Sequence, residues 1–280
     1  MTWQLIGAGS GLAGVDVRAG EGPQVVKAAS GVLKNAAWAE MIVPESTHQS
    51  VEHAVAAFNQ RLAKHVSDRL QAKEKICVLG GDHSIAIGTW SGAYDALHQQ
   101  GEMGLIWVDA HMDSHTPQTS ETGRIHGMPL ATLLGHGYSS LTTLLHQAPK
   151  FKPENVCLIG VRSYERGEAD FLKNLKVKVY FMDEVRERGL KAVWDDAVKH
   201  VNHHTMGYGI SLDLDAIDPT DAPGVDVPEP NGIQVDALRP MLARSFADPR
   251  LILAEIVEFD PSRDREHITE RLVVSLLQLL

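Results

Sequence analysis

Short apolar runs rich in β-branched residues alternate with longer amphipathic stretches along the whole 280-residue chain. The short runs predict eight strands, and the longer stretches predict seven helices. The predicted strands span residues 3–7, 39–43, 75–79, 104–109, 156–160, 177–182, 208–213 and 251–258, and the predicted helices span residues 23–33, 51–70, 86–99, 168–174, 190–200, 235–246 and 266–280. Strands that alternate with helices need crossover connections, so we expect an α/β fold with a mostly parallel sheet covered on both faces.

Two stretches without a strand or helix pattern stand out, residues 110–128 and 216–232. Each follows a predicted strand and is rich in Pro, Gly, Thr and Asp. Long loops in compact domains are usually functional, and open α/β sheets bind ligands at the carboxyl ends of their strands. No repeat, low-complexity tract or linker interrupts the pattern, so we expect residues 1–280 to form one domain.

Composition narrows the possible partners. Lys and Arg number 26 against 36 Asp and Glu, a formal net charge of -10. Nucleic acid and anionic membrane surfaces attract clustered cations, so we expect neither as a partner. Cys77 and Cys157 each lie in an apolar run, which is typical of buried thiols in a reducing compartment. No apolar run approaches the ~18 residues of a membrane span, and no secretory leader is visible, so we expect a cytoplasmic protein.

A glycine-rich segment near the start fits the dinucleotide-binding pattern G-x-G-x-x-G at Gly9, Gly11 and Gly14. The segment that follows is charged and leads to Pro23 rather than continuing as a helix. A strand ending in the Asp or Glu that would contact a ribose is also missing. We therefore interpret it as a turn after the first strand.

Three potential metal ligands follow the apolar run of residues 105–108. The segment reads Asp109-Ala-His111-Met-Asp113, so carboxylate or imidazole groups recur at every second position. Ligands spaced by two on an extended segment project to one side. A solvated polar loop is the alternative, but it gives no reason for this spacing directly after an apolar strand. The segment predicts a site for Mn, Mg or Zn.

Two further strand ends repeat this design. One run ends in Asp213-Leu-Asp215, and another ends in Gly80-Gly-Asp-His83, where the glycines let the backbone turn sharply. Together the three strand ends supply two imidazoles and four carboxylates: His83, Asp109, His111, Asp113, Asp213 and Asp215. This set exceeds what one four-coordinate ion needs and, being free of thiols, favours a pair of Mn(II) ions bridged by shared carboxylates. Two such ions ~3.5–4 Å apart can bridge a water, lower its pKa and direct a hydroxide at an electrophilic carbon.

Four blocks of the chain resemble the signature of the ureohydrolases, the family that includes arginase, agmatinase and formimidoylglutamase. They are Gly80-Gly-Asp-His-Ser-Ile-Ala-Ile-Gly88, Trp107-Val-Asp-Ala-His-Met-Asp113, Ile125-His-Gly-Met-Pro129 and Ser211-Leu-Asp-Leu-Asp-Ala-Ile-Asp-Pro219. Residues 21–23 and 254–261 resemble further family segments. The resemblance implies a three-layer α/β/α sandwich with an eight-stranded sheet, two Mn(II) ions per subunit and hydrolysis of a guanidino or amidino C–N bond. It also implies a homo-oligomer, either a trimer or a hexamer.

The resemblance also implies roles for individual side chains. Asp113 would accept a hydrogen bond from the bridging hydroxide, His126 would shuttle a proton to the leaving amine, and Glu258 would hold the guanidinium. Without the resemblance, His126 and Glu258 would be an ordinary loop histidine and strand-end carboxylate. The implied metal ligands are His83 and Asp113 on one ion, His111 and Asp215 on the other, and Asp109 and Asp213 on both.

The loop of residues 113–126 resembles the arginase branch, in which it holds the α-carboxylate of the substrate. This chain departs from that branch at His115 and Arg124, where arginases carry Asn, and at Thr122, where they carry Ser. A second wall carries Glu165, where arginases carry the Asp that receives the α-amino group, and Glu168, which matches their Glu. The substrate-binding residues implied in this way are His115, Ser120, Thr122, Arg124, Glu165 and Glu168.

These features favour cleavage of L-arginine to ornithine and urea. The segment 222–230 lacks the arginase Gly-Thr-Pro turn and is closer to formimidoylglutamase, so another guanidino or formimino substrate that bears a carboxylate stays open. Agmatine fits less well, because its cationic amine would meet Arg124 and His115. A catalytically inactive metal-binding relative and a zinc deacetylase are the remaining alternatives, and the complete set of metal ligands disfavours both.

Overall fold

The computed structural model describes residues 2–46 and 49–280. Over those residues the chain forms eight strands and ten α-helices. Strands β1–β8 span Trp3–Ala8, Ala36–Ile42, Lys75–Gly80, Met103–Val108, Val156–Val161, Lys178–Phe181, Gly207–Asp213 and Leu251–Val257. Helices α1–α10 span Gly22–Ala29, Val51–Gln71, Ala86–Leu97, Pro129–Leu133, Ser139–Thr142, Arg166–Leu175, Met182–Arg188, Leu190–Val201, Val235–Phe246 and Ile268–Leu277.

The eight strands form one sheet in the order β2-β1-β3-β8-β7-β4-β5-β6, and every pairing is parallel. One hydrophobic cluster joins one face of the sheet to α1 and α7–α10, and a second joins the other face to α2, α3, α4 and α6. The four central strands β3, β8, β7 and β4 are almost wholly buried, as expected when helices cover both faces. The predicted three-layer α/β/α sandwich is confirmed.

Several boundaries differ from the prediction, and two of the differences have a clear physical reason. Strand β2 begins at Ala36 rather than residue 39, because pairing with Trp3 of β1 recruits two alanines with weak strand preference. The strand predicted over residues 177–182 ends at Phe181, and Met182 begins α7, which the sequence pattern missed. This helix has only 7 residues and ends at Gly189 with φ 77°, so it is too short to show a helical period.

The glycine-rich turn after β1 packs against the loop that carries His83. A Cβ on Gly81 would lie 2.0 Å from the carbonyl oxygen of Ser10, so only glycine fits there. The backbone N–H of Ala13 donates to Asp82 Oδ2 at 3.1 Å. Helix α1 begins only at Gly22. The turn therefore supports the end of β3.

Cys77 in β3 and Cys157 in β5 are buried and unpaired. No helix among the described residues has both the length and the apolar character that a membrane span needs.

Candidate metal and substrate site

Four adjacent central strands deliver the polar side chains of the candidate site. Strands β3, β8, β7 and β4 are neighbours in the sheet and run in the same direction, so their carboxyl ends meet at one edge. His83 follows β3, Glu258 follows β8, Asp213 ends β7 and Asp109 follows β4. Residues that are far apart in the chain are thereby brought within a few ångströms.

The first ligand cluster surrounds the imidazole of His83. Its Nδ1 lies 3.3 Å from Asp109 Oδ2, 3.1 Å from Asp113 Oδ2 and 3.0 Å from Asp213 Oδ2. His83 and its three carboxylates are buried, yet Nδ1 makes no hydrogen bond of acceptable geometry within the described part of the chain. A buried nitrogen directed at three carboxylates without a bond is the arrangement that a divalent cation satisfies.

The second cluster adjoins the first and shares one residue with it. His111 Nδ1 lies 3.0 Å from Asp215 Oδ2 and 3.5 Å from Asp109 Oδ1. Asp109 therefore presents one oxygen to each cluster. Asp213 groups only with the first cluster, so its predicted bridging role stays a prediction. Two imidazoles and four carboxylates suit a pair of borderline to hard divalent ions, and the residues fit the implied metal centre.

The ligands converge because the chain turns as each strand ends. Asp109 Oδ1 accepts the backbone N–H of His111 at 2.6 Å, and Asp213 Oδ1 accepts that of Asp215 at 2.8 Å. These are Asx turns, in which a carboxylate bonds the backbone two residues on. The spacing by two predicts an extended segment with alternating side chains, whereas the structure brings the ligands together through these turns.

The carboxylates repel each other when no cation compensates them. Burial raises the pKa of Asp215 to about 6 and also raises the pKa values of Asp113 and Asp213, and the charge of Asp109 adds to each shift. Burial also opposes ionisation of Asp109, but the imidazoles of His111 and His83 beside it hold its pKa well below the usual range. Buried carboxylates this close together need a compensating positive charge to stay ionised.

His126 and Glu258 form a pair beside the clusters. His126 Nδ1 lies 3.2 Å from Glu258 Oε1, which also accepts the backbone N–H of His83 at 2.7 Å. Burial lowers the pKa of His126, but the hydrogen bond and charge of Glu258 outweigh it and raise that pKa to about 9. Glu258 holds a left-handed backbone with φ 67°, which costs energy in a residue with a side chain. The pair is thus fixed beside the metal ligands.

A cavity of ≈ 270 Å³ opens above these groups. His83 and Asp109 lie beneath it and are 0% exposed, whereas the other four predicted metal ligands reach its surface. All the predicted substrate-binding residues line this cavity. They are His115, Ser120, Thr122, Arg124, Glu165 and Glu168.

Three of these rim residues contact one another. His115 Nε2 contacts Glu165 Oε2 and lies 3.4 Å from Glu168 Oε2. Glu168 accepts backbone N–H groups from Ser114 and Glu165, and burial raises its pKa to about 8. His115 therefore contacts Glu165, the carboxylate to which the resemblance assigns the α-amino group of the substrate.

The remaining rim residues are less constrained. Ser120 Oγ accepts the backbone N–H of Gly123, and Thr122 Oγ1 accepts that of Arg124, so both hydroxyls stabilise their own loop. Arg124 is exposed, and its guanidinium makes no hydrogen bond or ion pair with any described residue. It is available to an anionic ligand.

Sequence reasoning missed several residues that support the site. Arg162 donates to five backbone carbonyls, including that of Asp215 at 2.6 Å, and so fastens the loop after β7 to the end of β5. Ser211 and Glu255 lie behind His83. Glu255 had a signal in the sequence, because a charged residue inside an apolar strand must have a partner.

Fold and ligand geometry together describe an α/β protein with a candidate site for two metal ions, and comparison with known proteins identifies the family. The model of the Arginase family matches residues 3–280. The arginase of Brevibacillus brevis is 43% identical over 230 residues, covering 82% of this chain and 76% of that protein. The arginase of Bacillus caldovelox is 42% identical over 225 residues, covering 80% and 74% respectively.

A solved structure agrees with these relatives. The crystal structure of arginase from Bacillus subtilis superposes with a TM-score of 0.90 at 35% identity, covering 100% of this chain and 98% of that one. The chain belongs to the arginase family. The resemblance found in the sequence, and the expectation of a hydrolase, are confirmed.

Proposed function

We propose that the protein hydrolyses the guanidino C–N bond of L-arginine to give ornithine and urea, using two Mn(II) ions. The observation that carries this proposal is the pair of ligand clusters sharing Asp109 at the floor of the cavity. The arginases at 41–43% identity support the choice of substrate. When bound, the two ions supply an activated water of lowered pKa as the nucleophile.

The six ligands divide between the two ions as the clusters suggest. His83 and Asp113 would hold one ion, and His111 and Asp215 would hold the other. Asp109, which belongs to both clusters, would be a ligand of both ions, and we assign Asp213 to both as well. Hydrogen bonds from backbone N–H groups already fix the directions of Asp109 and Asp213. Metal binding therefore costs little further side-chain entropy.

Three side chains act on water and substrate in this proposal. Glu258 uses Oε2, which has no hydrogen-bond partner among the described residues, to bind the guanidinium and hold its carbon beside the metal ligands. Asp113 accepts a hydrogen bond from the attacking water. His126 is held through Nδ1 and keeps Nε2 for proton exchange, so it protonates the nitrogen that leaves when the C–N bond breaks.

The rim binds the far end of the substrate. Arg124 offers a two-pronged donor to a carboxylate, with the hydroxyls of Ser120 and Thr122 beside it. Glu165 and Glu168 also line the cavity and receive the α-amino group of arginine, and His115 lies beside them.

One observation favours a second candidate. Because His115 already contacts Glu165, the rim can accept a substrate that carries a carboxylate but no free amino group. Guanidinobutyrate and N-formimino-glutamate have that character, and the free guanidinium of Arg124 suits both.

A single panel of assays separates these candidates. Protein stripped of metal and reloaded with Mn(II) is given arginine, agmatine, guanidinobutyrate or formiminoglutamate, and urea and formamide are measured. We expect the highest kcat/KM with arginine, with urea as product and no activity in Asp109→Asn protein. Formamide from the formimino compound, or a preference for guanidinobutyrate, would establish the second candidate. Protein that binds two equivalents of Mn(II) and cleaves none of the four would contradict both.

We further infer that the chain works as a homo-oligomer, a trimer or hexamer, in the cytoplasm, and that residues 1–280 form one domain. The free buried thiols support a reducing compartment, and the sheet supports one domain because β1 and β8, from opposite ends of the chain, both pair with β3. Light scattering of the purified protein tests the assembly, since a monomer at micromolar concentration would contradict it.

A further inference from the structure

Two central strands each carry one polar residue inside an apolar run. Ser211 lies in β7 and Glu255 in β8, where the two residues pair directly in the sheet. Both are 0% exposed. A buried carboxylate is costly unless it is hydrogen-bonded, so its position in the middle of a core strand needs a specific reason.

A chain of hydrogen bonds leads from this carboxylate to the first ligand cluster. Ser211 Oγ donates to Glu255 Oε1 at 2.6 Å, and Trp90 Nε1 donates to the same oxygen at 2.6 Å. Ser211 Oγ lies 2.8 Å from His83 Nε2. Because the serine proton is directed to Glu255, the serine oxygen accepts from His83, which places the imidazole proton on Nε2. Nδ1 is then free of hydrogen and faces the three aspartates.

The ring of His83 is also held from the side. Trp107 stacks on it with ring centroids 4.1 Å apart and planes 10° apart. The stacking fixes the plane of the imidazole, and the bond to Ser211 fixes its rotation within that plane. These contacts define where the lone pair of Nδ1 points.

Among the residues that the structure describes, none gives His111 comparable support. Its side chain is 21% exposed, and the nearest carboxylate to its Nε2 is Glu229 Oε1 at 3.8 Å, which is too far for a hydrogen bond. The two histidines of the metal centre therefore differ in what lies behind them, although both direct Nδ1 at aspartates.

We propose that Glu255 is a positioning residue that acts through Ser211 to fix the Nε2–H tautomer of His83 and strengthen its Nδ1 as a metal donor. In its ionised form the carboxylate of Glu255 polarises both hydrogen bonds toward itself and so increases the electron density on the imidazole of His83. This inference rests on the proposed metal centre. It predicts that the cation in the first cluster depends on a carboxylate that does not touch it.

The test measures Mn(II) binding rather than catalysis. Metal-free Glu255→Gln and Ser211→Ala proteins are titrated with Mn(II), and the free ion is followed by electron paramagnetic resonance. Glutamine still accepts from Ser211 and Trp90, so Glu255→Gln removes charge with little change of shape. We expect one of the two sites to weaken about 10-fold in Glu255→Gln and up to about 100-fold in Ser211→Ala, with the other site within about 2-fold of wild type.

A matched control removes a buried carboxylate elsewhere. Asp264 is 3% exposed and accepts three backbone N–H groups at the start of α10. Asp264→Asn should lower the melting temperature and leave both Mn(II) affinities unchanged. Two sites of wild-type affinity in folded Glu255→Gln or Ser211→Ala protein would overturn the proposal, as would equal weakening of both sites. Ser211→Ala decides the question if Glu255→Gln does not fold. Because no substrate is used, failure to hydrolyse arginine would reject the proposed function and leave this result standing.

Discussion

The floor and the rim of the cavity are both built from residues beyond strand ends, yet they are held in different ways. At the floor, His83 and Asp109 are 0% exposed, and backbone N–H groups fix the aspartates. At the rim, Arg124 is exposed, and the side chain of Glu165 is 66% exposed. The contrast indicates that the chemistry is set by the sheet and the choice of substrate by loops that change at little cost to the fold.

The energetic reason lies in burial. At the floor, an uncompensated charge would be buried among apolar strands, so every ligand needs a fixed partner or a cation. At the rim, water solvates a charge that loses its partner, and exposed ion pairs contribute little. Substitutions should therefore have large effects on activity at the floor and smaller, substrate-dependent effects at the rim.

The largest effect is expected at the residue shared by both clusters. Asp109→Asn removes an anionic donor from each ion, so urea release should fall by more than about 10⁴-fold, since the metals supply the nucleophile and several kcal/mol of transition-state stabilisation. Metal analysis after dialysis should show fewer than two equivalents. Asp170→Asn, at an exposed helix position paired with Arg166, is the control and should keep both ions and full activity. An active Asp109→Asn enzyme would remove the distinction between floor and rim.

Replacing His126, at the edge of the floor, should lower catalysis and leave metal binding intact. His126→Asn should lower kcat with arginine by about 10²- to 10³-fold, because a positioned acid–base group contributes that much. Both Mn(II) ions should remain, since no ligand is lost. The measurement is steady-state kinetics alongside metal content, and a kcat within a few-fold of wild type would show that another group protonates the leaving nitrogen.

Arg124 tests the rim directly. Arg124→Ala should raise KM for arginine about tenfold with kcat nearly unchanged, because a charge-assisted hydrogen bond contributes about 1.5 kcal/mol. Hydrolysis of agmatine, which has no carboxylate, should not decline. An equal loss with both substrates would mean that Arg124 supports the loop rather than the ligand.

The smallest effect is expected at Glu121, which lines the cavity and is exposed. Glu121→Gln should change kcat/KM for arginine by less than about threefold, since exposed charges contribute about 0–1 kcal/mol. This variant is the matched control for Arg124→Ala, and a tenfold change here would place Glu121 in the substrate site.

The sequence predicted the floor better than the rim for a physical reason. Asp109, His111 and Asp113 directly follow a buried strand, and the carboxyl ends of parallel strands meet at one edge, so their place in the sequence predicts that they converge, although turns rather than an extended segment bring them together. The contact between His115 and Glu165 depends on how two separate loops fold toward each other, which no local pattern reports. The hydrogen bonds of Glu255 depend on the pairing of β7 with β8, and periodicity does not specify which strands become neighbours.

In the proposed metal centre, two cations share Asp109. No cation binds at His115, Glu165 and Glu168, a third group of possible ligands at the rim. Anomalous diffraction at the manganese edge, from crystals grown with Mn(II), measures this directly. We predict two peaks ~3.5–4 Å apart, one beside His83 and one beside His111, each within bonding distance of Asp109. A single peak, or one between His115, Glu165 and Glu168, would contradict the account.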